Sequence, residues 1–168
     1  MRRLGPTTLW ATLCLAAAGL ASCGFTPLYA TPGVVSGLSS VQVVAPDGRT
    51  GYLIREHLDD ALAKNRGATP AYRMDLSLAE QRFPRGLRVD NVATRYEYVL
   101  TARYNLVHLP SGAAAKSGSV RVQLTYDSAD QPYASIAAQQ DVADRAAEEA
   151  ARRIQLELAA WLAAQAKG

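Results

Sequence analysis

Cysteine is nearly absent from this chain. Two occur among 168 residues, Cys14 and Cys23, and both lie within the first two dozen positions. Neither can staple the body of the fold with a disulfide. Histidine is equally scarce, with His57 and His108 alone. With no cysteine nearby and no carboxylate at ligand spacing, they offer no metal-binding pattern. Charge of one sign is lacking as well. Lys and Arg number 18 against 15 Asp and Glu, a surplus of three that is too small to call for nucleic acid. Only one apolar stretch approaches the length of a membrane span, which excludes a polytopic membrane protein. The 49% hydrophobic content excludes disorder for the bulk of the chain. No Gly-x-Ser-x-Gly elbow, glycine-rich phosphate loop or His-Glu-x-x-His run occurs. The adjacent acids Asp59-Asp60 and Glu148-Glu149 point in different directions on a helix, so they form no acid–base pair. Nothing in the residues asks for an enzyme, a metal or another cofactor.

What is present begins with an address. Arg2 and Arg3 precede an apolar run from Leu9 to Leu20, followed by Leu20-Ala21-Ser22-Cys23-Gly24. A basic start, a twelve-residue apolar core and small residues before a cysteine have the layout of a bacterial lipoprotein signal. This predicts a signal peptide over 1–22 and a diacylglycerol-modified, palmitate-bearing Cys23. Cleavage there consumes or removes both thiols and takes Arg2 and Arg3 away, leaving a nearly neutral mature chain. Several acyl chains on one residue anchor firmly. Gly24 in place of an aspartate favours the outer membrane, with the protein on its periplasmic side.

Residues 23–40 are rich in Gly, Pro, Ser and Thr and read as a flexible tether from anchor to domain. The domain follows over 41–168. Val41–Val44 is a short strand closed by Pro46-Asp47-Gly48. Thr50 is positioned to cap a helix from Gly51 to about Asn65, with Ile54, Leu58, Ala61 and Leu62 on one face. Three stretches then alternate with period two. Tyr72, Met74, Leu76 and Leu78 form the apolar face of the first. Tyr96, Tyr98, Leu100, Ala102, Tyr104 and Leu106 form that of the second, and Val120, Val122, Leu124 and Tyr126 that of the third. Gly112 and Gly118 fall in the link between the last two. A long helix from about Ser135 to Gln165 carries Val142, Ala146, Ala150, Ile154, Leu158, Trp161 and Leu162 as its stripe. The order β-α-β-β-β-α predicts an α/β two-layer sandwich, an about four-stranded sheet with two helices on one face.

One charged feature stands out. Arg82, Arg85 and Arg88 recur at three-residue intervals between the second and third strands, interleaved with Phe83, Pro84, Gly86 and Leu87. Arg95 follows, and Lys116 and Arg121 lie in or near the next hairpin. The stretch reads either as a solvated connector or as a mobile basic–apolar loop for an anionic amphiphile, since the arginine fork suits phosphate.

The opening Cys23-Gly24-Phe25-Thr26-Pro27-Leu28-Tyr29, the Arg95-Tyr96-Glu97-Tyr98 strand ending in Tyr104-Asn105-Leu106, and the helix segments Arg145-Ala146-Ala147 and Arg152-Arg153-Ile154 together resemble the LptE family of lipopolysaccharide-assembly lipoproteins. The resemblance implies a non-enzymatic protein that plugs and helps assemble the LptD β-barrel translocon and binds lipopolysaccharide. On that reading Arg82, Arg85, Arg88, Arg95 and Lys116 are candidate lipopolysaccharide contacts. Better-known members carry a basic residue just ahead of the last helix, where this chain has Ser135-Ile136-Ala137-Ala138. The alternative is a periplasm-facing lipid-binding or transport-auxiliary lipoprotein without a barrel partner. A carrier needs an accessible apolar groove, whereas a plug needs a polar outer sheet face.

Overall fold

The computed structural model describes Tyr29 and residues 31–65, 67, 69–87, 93–128 and 131–166. Its elements run in the order α1 (Val34–Ser39), β1 (Val41–Val44), α2 (Arg49–Ala61), β2 (Tyr72–Leu87), β3 (Ala93–His108), β4 (Ala114–Asp127) and α3 (Pro132–Gln165). The strands form one sheet in the order β1-β2-β3-β4, with β1 parallel to β2 and the other neighbours antiparallel. A parallel pair needs a crossover, which α2 supplies, while tight turns suffice for antiparallel neighbours. The expected two-layer architecture with two main helices on one face is the one the chain adopts.

Period two decides what is buried. Tyr98, Leu100, Ala102, Tyr104 and Leu106 of β3, with Met74 of β2 and Val120, Val122 and Tyr126 of β4, form the sheet's share of the core. α2 contributes Ile54 and Leu58 at i, i+4 spacing. In α3 the buried surface is wider than a single stripe. Besides Val142, Ala146, Ala150, Ile154 and Leu158 it includes Ala143, Ala147, Ala151, Ala159 and Ala163. The helix packs on both α2 and the sheet, and alanines let it lie close to each. At 34 residues it extends about 51 Å, matching the roughly 53 Å of the 16-residue β2.

Four expectations need correction. The stretch read as a tether ends in α1, which buries Val34 and Leu38 in the core. Its Gly37 leaves room for the side chain of Leu162 on α3. Thr50 does not cap α2; the N-cap is Gly48, Thr50 is buried inside the first turn, and the helix closes at Ala61. The segment with Arg82 and Arg85 is not a loop, because β2 continues through it to Leu87, in register with β3 from Tyr72 to Arg85 and again at Leu87. Gly118 likewise belongs to β4 rather than to a link, and Lys116 lies on the same strand of that hairpin.

Candidate functional site

Because β1 pairs only with Tyr72–Asp75, the rest of β2 and the facing part of β3 project beyond it. At this distal end the start of α2, the far half of β2 and the early turns of α3 enclose an open cleft of about 610 Å³. Arg49 of α2 and Arg82 of β2 line it, with Asp47, Glu80, Tyr98, Gln139 and Gln140. Neither arginine makes an ion pair among the described residues. Tyr98 is 2% exposed and donates its hydroxyl to Glu80 Oε2 at 2.7 Å. Burial, then the Glu80 carboxylate, raise its pKa, while Thr50 and the Arg82 charge pull weakly the other way. The phenol therefore stays protonated and holds Glu80 in place beside Arg82.

Within a strand, three-residue spacing puts successive arginines on opposite faces. Arg82 lies on the helix side, opposite Tyr98, whereas Arg85 lies on the open face, directly opposite Arg95. These two are matched by carboxylates. Arg85 Nε donates to Glu97 Oε2 at 2.8 Å, and Arg95 Nε to Asp127 Oδ1 at 2.7 Å. The Asp127 partner raises the Arg95 pKa, so this guanidinium is always charged. Lys116 pairs across from Leu106, eleven residues along β3 from Arg95 and about 36 Å away. The structure thus brings Arg85 and Arg95 together, sets Arg82 apart with Arg49, and leaves Lys116 at the other end. Arg88 and Cys23 lie outside the described residues. Arg49 was the residue that sequence reasoning missed. Its signal was the Pro46-Asp47-Gly48 turn, which starts α2 and so returns the chain toward the projecting half of β2.

The sheet's other face has no helix over it. Arg73, Ser77, Gln81, Arg85, Arg95, Arg103, Asn105, Ser117, Ser119, Arg121, Gln123 and Thr125 are all exposed there. Asp75, Glu97 and Thr101 are half-buried on this face, Val99 is fully buried between Gln81 and Gln123, and the apolar Ala79, Phe83 and Val107 share it. The histidines serve local bonds: His57 Nε2 meets Asp144 Oδ1 at 2.9 Å between α2 and α3, and His108 Nδ1 meets Ser111 Oγ at 2.9 Å. Asp59 pairs with Lys64, and Glu149 with Arg152 and Arg153.

The family model LptE, lipopolysaccharide-assembly, matches residues 38–158, from α1 through most of α3. The chain belongs to the LptE family. An LptE-family chain is a non-enzymatic, membrane-associated lipoprotein of lipopolysaccharide assembly and works with the transport machinery for that lipid. A crystal structure of a candidate lipoprotein from Caulobacter crescentus is 57% identical, covers 79% of this chain and 97% of its own, and superposes with a TM-score of 0.69. Two more distant LptE-like folds are rare lipoprotein B from Shewanella oneidensis (15% identity, 71% and 93% coverage, TM-score 0.55) and lipoprotein B from Nitrosomonas europaea (17%, 76% and 86%, TM-score 0.57). The search of curated proteins gives no match.

Proposed function

We propose that this LptE-family lipoprotein is cleaved ahead of Cys23, carries diacylglycerol and palmitate there, and is held on the periplasmic side of the outer membrane. In that position it plugs and helps assemble an LptD-type β-barrel and binds lipopolysaccharide during delivery to the outer leaflet. The observation that carries the plug reading is the open, polar sheet face. A two-layer fold normally buries an apolar sheet face, and a face this rich in charge suits the polar lumen of a wide barrel. Lipopolysaccharide phosphates are assigned to the distal cleft, where Arg49 and Arg82 make no ion pair among the described residues. Arg85 and Arg95 contribute less, being already matched. Lys116 stands too far away to join them. A carrier working without a barrel would need an apolar groove; the distal cleft is lined mainly by polar and charged groups.

The test is capture of the tagged full chain from detergent-solubilised outer membranes after labelling with palmitate. The expected result is a labelled lipoprotein that brings a large β-barrel with it, and loss of label in Cys23→Ser. A labelled protein recovered without a barrel would leave the carrier reading in its place.

A further inference from the structure

The sheet order leaves β4 as a free edge of 14 residues without a proline. Pairing with β3 uses alternate backbone groups, and the remainder point outward. One outward group is already occupied, because Arg153 Nη1 donates to the carbonyl of Arg121 at 3.1 Å. That bond fixes the direction of the backbone. Ser119, Gln123 and Thr125, two residues apart along the strand, therefore also turn their N–H and C=O groups to the edge. Among the described residues no other segment bonds to them. Native sheets blunt long edges with proline, bulges or a cover. Here the one irregularity in the pairing with β3 falls at the start of β4, opposite Leu106 and Val107. Beyond it the edge borders a groove of about 340 Å³ between β4 and α3, with Val122, Gln123 and Leu124 on one wall and Arg145, Glu148, Glu149, Arg152 and Arg153 on the other.

We infer that the β4 edge accepts one extended strand from another protein, alternately apolar and polar, with a carboxylate placed against Arg121. The alternation follows from β4 itself. Val122, Leu124 and Tyr126 face the helix layer, whereas Arg121, Gln123 and Thr125 are exposed on the open face. Directly opposed side chains select their own kind or the opposite charge, and Arg121 makes no ion pair among the described residues. A second copy of this chain is the competing occupant, and protection of β4 without peptide distinguishes it in the test below. On strand entry Arg153 gives up the Arg121 carbonyl to an incoming N–H and keeps Glu149 as its partner. The inference stands apart from the plug reading, because it asks only for an extended polypeptide.

The probe is a synthetic nonapeptide of alternating threonine and valine with one central glutamate, added to the full-length lipoprotein in detergent and followed by amide hydrogen exchange. Exchange is expected to slow at Ser119, Arg121, Gln123 and Thr125 and to stay unchanged at Val120, Val122 and Leu124. A lysine in place of the glutamate should weaken binding about two- to fivefold. Gln123→Pro removes an outward N–H and no bond to β3, so it should abolish the protection while Gln123→Ala keeps it. If Gln123→Pro does not fold, Thr125→Pro makes the same test. Protection that survives the proline, equal binding of the lysine peptide, or concentration-dependent protection of β4 without peptide would each overturn the assignment.

Discussion

At the scale of single residues, two positions show how closely the core is set. Gly118 of β4 faces Tyr104 of β3, and a Cβ there would run into the phenol ring. The ring cannot move without leaving Glu157, whose Oε2 accepts the Tyr104 hydroxyl bond at 2.6 Å. Gly118→Ala is therefore expected to cost about 1–3 kcal/mol by overpacking, read as a lowered urea midpoint with an unchanged slope. The same phenol gives a pH dependence. Burial first, and the Glu157 carboxylate next, raise the Tyr104 pKa above its ordinary 10, and burial raises that of Tyr98 likewise. A raised pKa means that this contribution to stability is complete below about pH 10, where the unfolded chain's tyrosines are still protonated. It is lost as pH climbs beyond, because the unfolded state then releases protons that the folded state retains. Urea midpoints measured from pH 8 to 12 should fall beyond pH 10, and less steeply in Tyr104→Phe. Equal slopes in the two proteins would mean that Tyr104 ionises freely when folded.

At the scale of elements, α1 was hidden and the rest was largely readable. Period two marked the three long strands because one face of each is covered. It marked only their covered parts: beyond Leu78 the helix-side positions of β2 are Glu80, Arg82 and Pro84, which break the apolar alternation although pairing with β3 continues. Arginines three apart therefore looked like a loop. The site was legible as a cluster of cations between two strands, but not as two separate groupings, since only a strand sends Arg82 and Arg85 to opposite faces. α1 escaped because six residues that follow a left-handed Gly33 and are interrupted by Gly37 carry too little periodicity to read. α3 was found but its buried face was drawn too narrow, because alanine is equally at home in a helix and in a core. The short helix nonetheless closes the core at the end where β1 begins. Leu38 is 3% exposed, and Leu38→Ala is expected to cost about 2–5 kcal/mol. Calorimetry showing a near-native Tm would mean that α1 is an ornament on a core complete from Val41 onward.

At the scale of the whole molecule, the two ends differ. α1 lies beside the start of β1 and, through Gly37 and Leu162, the end of α3, whereas the cleft with Arg49 and Arg82 sits at the start of α3. The helix from Gln139 to Leu162 separates them by about 35 Å. The cleft thus lies at the end of the domain opposite α1, the first described helix after the proposed lipidation site at Cys23. The charges there rank by partner. Arg85 and Arg95 are matched by Glu97 and Asp127, and exposed ion pairs of that kind add little to stability. Replacing either set should therefore leave the fold intact. Binding should separate them, because a phosphate must displace a bonded carboxylate at Arg85 and Arg95, whereas Arg49 and Arg82, which share their cleft with Asp47 and Glu80, form no ion pair among the described residues. Charge-assisted bonds are worth about 1.5–3 kcal/mol when well formed, and less in an open cleft at physiological salt. The double change Arg49→Ser with Arg82→Ser is expected to weaken lipopolysaccharide binding about tenfold, with an unchanged Tm and a shallower dependence on salt. Arg85→Ser with Arg95→Ser should weaken it less than threefold. The opposite ranking, measured by titrating the purified lipoprotein with lipopolysaccharide at two salt concentrations, would move the ligand from the cleft to the open face.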